Sequence, residues 1–338
     1  MNRAAWTSLP AAERTGFQEA WYLRLADSPD TGKARQSLWL RFTLLSSANG
    51  FRKTAEVWAI LVQKKEQGET LKTAIKQTFV MQDFLDAESG ISIGPCFFSD
   101  RASRGTLTSK GRTISWELAY SPDSKASFSL IPEFVARTGL VKNQVTTEAS
   151  DLRFNGTCTS DGQTYTWQKA FGMQGHLCGP KSGHSWAWTH CNDFTNQQGR
   201  YEPIILEAMT ARARLLGGLP SPAVSSFYLR YKDQEYHLNR FWNAVHSRSQ
   251  HSLTDWRFQA EEGDLLFRGH ARAELRDFAG LTYEDTDGSL LFCANSLLSD
   301  VTLSIYRRGK LEGTFLSRGS AAFEVVSRHA SPYVPLLV

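Results

Sequence analysis

The residues best suited to chemistry crowd between Phe171 and Phe194, a stretch holding three of the eight histidines and two of the ten tryptophans. Its first half, Phe171 to Gly183, is glycine-rich and reads as a loop. Its second half alternates strictly. His184, Trp186, Trp188, His190, Asn192 and Phe194 fall on one side, and Ser185, Ala187, Thr189, Cys191 and Asp193 on the other. In an extended strand such alternate side chains share a face, about 6.5–7 Å apart. That row would line one wall with two imidazoles and two indoles. An imidazole exchanges protons near neutral pH. An indole offers a flat, electron-rich surface to an apolar chain or a developing carbocation. An ordinary strand whose histidines bond backbone groups would show the same alternation.

Other chemistries fit less well. His176, Cys178, His184, His190 and Cys191 are zinc-ligand types, but their spacing matches no finger. Alternation also sends Cys191 to the face opposite His190, so no metal site is expected. Gly90-Ile91-Ser92-Ile93-Gly94 fits the Gly-x-Ser-x-Gly pattern, which in hydrolases needs a strand before it and a helix after it. Ile91 and Ile93 read as strand, and Pro95-Cys96-Phe97-Phe98 follows without helical period, so the match reads as chance. There is no phosphate-binding loop, dinucleotide glycine pattern or HExxH motif, and no cofactor is expected.

The elements that must carry these residues are strands. Leu38, Leu40, Phe42 and Leu44 alternate with Trp39, Arg41, Thr43 and Leu45; Ile114 to Tyr120 repeats the period. Lys110-Gly111, Asp161-Gly162, Glu262-Gly263, Asp287-Gly288 and Arg308-Gly309 punctuate these runs as hairpin turns. Thr7–Gly16 reads as a short turn or helix, and Thr70–Asp86 is ambiguous. Gly217-Gly218-Leu219-Pro220-Ser221-Pro222 is the clearest break. The expected organisation is therefore all-β: one antiparallel barrel over residues 1–216, a linker at 217–222 and a second barrel over 223–338.

A net charge of +4, spread without a basic run, predicts neither a nucleic-acid partner nor membrane-surface binding. No segment approaches the length of an apolar membrane span, and the start lacks a signal-peptide pattern. Five irregularly spaced cysteines argue against a disulfide framework, so a cytoplasmic location is expected. Ten Trp, ten Tyr and twenty Phe suit either β-core packing or the lining of a pocket for an apolar ligand.

Glu19-Ala20-Trp21-Tyr22-Leu23-Arg24-Leu25, followed by Leu38 to Leu45, resembles the opening of the carotenoid 1,2-hydratase (hydroxyneurosporene synthase)-like and AttH-like proteins. Tocopherol cyclase and fungal lipocalin-like pericyclases are distant relatives of that group. Gln174-Gly175-His176, Gly179 and His184 to Trp188 resemble its central signature, and Phe292-Cys293-Ala294-Asn295-Ser296 its late strand. The resemblance implies two lipocalin-like barrels in tandem. It implies cofactor-free addition of water, ring closure or cycloaddition on isoprenoid or polyketide skeletons. His184-Ser185-Trp186 is similar to a His-x-Trp element of the hydratases. Their acid with a nearby Tyr on the next strand has only Glu207 as a counterpart, with no Tyr-x-Asp.

The expected function is a cofactor-independent lyase or cyclase acting on a hydrophobic small molecule. His184, His190 and Glu207 are its acid/base candidates. Trp186, Trp188, Asn192 and Phe194 are expected to contact substrate, and His176 to order the pocket mouth. A carrier of lipid-like molecules is the alternative. A scaffold filled by its own aromatics is the third, and it would have no cavity near Trp186.

Overall fold

The computed structural model describes residues 4–27, 35–65, 68–123, 127–137, 141 and 143–338. Two antiparallel sheets follow one another along the chain. The first contains β1 (Phe17–Ala26), β2 (Arg35–Ser46), β3 (Lys53–Lys64), β4 (Thr70–Val80), β5 (Phe84–Ala87), β6 (Gly90–Ile93), β7 (Cys96–Phe98), β8 (Ala102–Ser109), β9 (Arg112–Pro122), β10 (Phe128–Ser129), β11 (Gln144–Ser160) and β12 (Gln163–Gly179). The second contains β13 (Ser185–Cys191), β14 (Phe194–Thr195), β15 (Tyr201–Glu202), β16 (Ile205–Arg212), β17 (Val224–Tyr231), β18 (Gln234–Leu238), β19 (Arg248–His251), β20 (Asp255–Glu262), β21 (Leu265–Arg272), β22 (Phe278–Glu284), β23 (Leu290–Arg307) and β24 (Lys310–Ser327).

Both sheets are built to one plan. The first strand lies beside the last and beside the next strand of the main sheet path: β2-β1-β12 in one sheet and, with the short β14 and β15 set aside, β16-β13-β24 in the other. Each sheet curls toward closure into a lipocalin-like barrel. Gln77 of β4 accepts from the Thr108 amide of β8, and Thr73 of β4 accepts from Arg112 of β9. In the second barrel Thr210 of β16 meets Ser249 of β19 at 2.6 Å. The turns at Lys110-Gly111, Asp161-Gly162 and Arg308-Gly309 carry positive φ at both residues, as tight hairpins require. Thr70–Asp86 resolves into β4, a single 3-10 turn and β5. The Gly-x-Ser-x-Gly match lies in hairpin strand β6 and its turn, between β5 and β7, with no helix following.

Two expectations need correction. The change of sheet falls at residues 180–184, between β12 and β13, and not at 217–222. The Gly217-Gly218 segment, with φ of 74° and 82°, instead turns the chain from β16 into β17 inside the second sheet. The strand bearing Trp186 and Trp188, and the strand bearing Glu207, therefore belong to the second barrel. The glycine-rich stretch before them is also not a loop down to Gly179: it is the end of β12. Its glycines answer close packing, since a Cβ on Gly172 would stand 2.0 Å from the Arg24 carbonyl oxygen, and one on Gly175 would stand 2.3 Å from the Tyr22 ring.

Each barrel interior is filled by its own side chains. Leu38, Leu40, Phe42 and Leu44 of β2 enter the first core. Phe227, Phe258, Phe267 and Phe323 enter the second. The opposite faces of β2 and β3 are buried as well, because the second barrel packs against them. Trp39, Trp58 and Ile60 join Leu281, Tyr283, Leu291 and Val326 in a core between the barrels. Strands buried on both faces read as nearly continuous apolar runs, as β2 and β3 do. No helix among the described residues is long and apolar enough to cross a membrane.

Candidate functional site

A cavity of about 600 Å³ opens between the barrels, not inside either one. β1 and β2 contribute Tyr22, Trp39 and Arg41; β13 contributes Trp186 and Trp188; Tyr283 and Glu324 come from β22 and β24. Lys181, Ser182 and Arg212 stand at its lining from the crossover and the end of β16. A cavity lined by Trp186 is the feature the scaffold reading excluded.

β13 runs extended as expected, which turns Trp186 and Trp188 to the same face. Cross-strand register then pairs each indole diagonally with a carboxyl group. Trp188 faces Glu324 across β24, and His190 faces Glu207 across β16. Trp186 leans toward β24 and donates its Nε1–H to Glu324 Oε1 at 2.7 Å. Trp188 leans toward β16 and donates its Nε1–H to Glu207 Oε1 at 2.8 Å. Both carboxyl groups are thus tied to a ring that lines the cavity.

Both are also deep inside the molecule. Glu207 has no exposed surface, and burial raises its pKa to about 8 against the lowering effect of its bonds from Trp188 and Thr147. The Thr147 hydroxyl lies 2.8 and 2.9 Å from the two carboxyl oxygens. Burial likewise raises the pKa of Glu324, against bonds from Trp186 and the charge of Arg41. Asn295 Nδ2 also donates to Glu324, at 3.2 Å. Burial, followed by the charges of Glu207 and then Glu324, pushes the Tyr22 hydroxyl far above its ordinary range. A protonated carboxyl group is a good proton donor to a buried substrate, and the indole faces beside it suit a cation.

The other expected residues lie elsewhere. His190 shares the face of Trp188, its ring centroid 6.4 Å away, but is sealed beyond the cavity. Its Nε2–H donates to the Ser150 carbonyl at 2.8 Å, and burial followed by the charge of Arg24 lowers its pKa to about 3. Asn192 stitches the barrels together, donating to Asp151 at 3.0 Å and to the Gly172 carbonyl at 3.1 Å. Phe194 lies in the second barrel's core, because β13 ends at Cys191 and the alternation breaks before it. His184 sits beside the cavity among Arg328, Arg214 and Arg212; burial and then these charges lower its pKa, and it is not part of the lining. His176 faces the first barrel, stacked on Trp21 and 2.8 Å from Glu19, which accepts the Ala5 and Trp6 amides. It anchors the N-terminal turn instead of the cavity mouth.

Reading the sequence alone misses Tyr22, Arg41, Tyr283 and Glu324. A signal for Glu324 exists: it is a lone acid in the apolar run Ala321-Ala322-Phe323-Glu324-Val325-Val326.

No family profile matches the chain, and no curated protein matches it by sequence. Among solved structures, a candidate AttH protein from Nitrosomonas europaea is similar at 12% identity and a TM-score of 0.51, over 94% of this chain and 93% of its own. Kievitone hydratase from Nectria haematococca aligns at 11% identity and a TM-score of 0.49, over 91% of this chain and 88% of its own. The first likeness extends over both barrels and shows the fold.

Proposed function

We propose that the tandem barrels form a cofactor-independent lyase or cyclase of hydratase type, acting on a hydrophobic isoprenoid- or polyketide-like molecule held between them. The observation that carries this reading is the pair of buried carboxyl groups, each bonded to an indole that lines the cavity. Glu324 opens on the cavity and gives its proton to a carbon–carbon double bond. Glu207, one layer behind Trp188, does not reach the cavity and positions that indole through its Nε1–H. The resulting cation rests against the faces of Trp186 and Trp188. Water or a nucleophile within the substrate then adds to the cation, and its proton returns to the carboxylate. The apolar walls limit how much water reaches the cation, which decides between hydration and ring closure.

The test begins with small molecules extracted from the native protein and identified by mass spectrometry. Each is offered back in D₂O. The wild type is expected to place deuterium on carbon, Glu324→Gln to slow this by at least ~100-fold, the usual worth of a general acid, and Glu207→Gln to slow it less, through the position of Trp188. A ligand returned unchanged by the wild type would leave only carriage. Full activity in both variants would remove the carboxyl groups from the mechanism.

A further inference from the structure

The cavity wall formed by β2 holds a cation that forms no salt bridge among the described residues. Arg41 is only 9% exposed, yet it lines the cavity. Its Nε–H donates to Thr43 Oγ1 at 3.0 Å. Its guanidinium lies 4.3 Å from the Tyr283 ring centroid and 5.9 Å from that of Trp58. Its two terminal nitrogens have no partner among the described residues. The acids nearby are committed elsewhere. Glu56 is taken by Lys76 at 3.2 Å and by the Trp58 Nε1–H at 3.2 Å. Glu324 is bonded by Trp186 and Asn295, and its burial favours the neutral acid. A guanidinium withdrawn from water is costly unless a charge-assisted partner meets its fork. Aromatic faces offset only part of that cost.

We propose that Arg41 is the anion anchor of the cavity, and that the molecule bound there is an apolar skeleton ending in a carboxylate. The carboxylate takes the two free ends of the guanidinium side by side, while the skeleton lies along Trp186 and Trp188. Lys181 and Arg212 at the lining favour entry of such an acid. This narrows the substrate class and rests on the cavity being the binding site, as the proposed function also requires.

The probe pair is cis-parinaric acid and its methyl ester, whose fluorescence rises in an apolar site. Wild-type protein is expected to bind the acid at least about tenfold more tightly than the ester, as a hydrogen-bonded charge implies. Arg41→Met is expected to abolish that preference and keep the ester's affinity. Equal affinity for acid and ester in the wild type, which needs no variant, overturns the proposal. So does a preference for the acid that survives in Arg41→Met. If neither probe binds, the proposal is overturned, and deuteration of the co-purified ligand by the wild type decides separately whether the proposed function stands. Equal binding of both probes, with deuteration intact, removes only Arg41's role.

Discussion

At the scale of single residues, two buried groups set opposing pH dependences. Glu207 has a folded pKa of about 8 against an ordinary value of 4.5, so the folded protein holds a proton there that the unfolded chain has lost. Its contribution to stability is therefore greatest below about pH 4.5 and declines as pH rises toward about 8. His190 works the other way. Its pKa is lowered from 6.5 to about 3, so its contribution is complete above about pH 6.5 and is lost as pH falls toward about 3. In urea unfolding between about pH 5 and pH 8, Glu207→Gln is expected to flatten the loss of stability with rising pH seen in the wild type. An unchanged slope would mean that Glu207 titrates normally. The histidines drew attention in the sequence because imidazole chemistry is common. Type and spacing, however, do not reveal whether a ring faces a cavity or a carbonyl oxygen. His190 and Trp188 share one face, and only the packing of β11 and β12 against it separates their roles.

At the scale of elements, the register between β1 and β12 places the Tyr22 ring flat over Gly175. A side chain at Gly175 would push that ring into the cavity. Gly175→Val is expected to cost about 1–3 kcal/mol, as overpacking usually does, and to weaken parinaric acid binding. The double variant Tyr22→Ala, Gly175→Val is expected to recover most of the lost stability, measured by thermal unfolding. Additive losses would show that the ring does not rest there. The strands themselves were legible: period-2 runs and Gly-containing turns located most hairpins, including the extended course of β13. The end of β12 was not, because three glycines in eight residues look like a loop until the neighbouring tyrosine and arginine backbone are in place.

At the scale of the whole molecule, the two barrels repeat one topology without a repeat visible in the sequence. What is preserved is strand order, and strand order leaves no mark on residue identity. The boundary was misplaced for a related reason. Pro180 and Gly183 break the chain as effectively as Gly217 to Pro222, but only pairing partners show which break changes sheets. The position of the cavity could not be read at all, since its walls come from strands up to about 300 residues apart, such as β1 and β24. Packing the barrels together is what removes Glu207 and Glu324 from water and raises the pKa of both, and the proton that burial favours on each is the property on which the proposed chemistry turns. Infrared difference spectroscopy of wild-type protein against Glu207→Gln and Glu324→Gln reads those protons directly at neutral pH. The account predicts a protonated-carboxyl carbonyl band missing from each variant, with the Glu207 band titrating near pH 8. Absence of both bands, with both groups titrating as ordinary surface carboxylates, would contradict it.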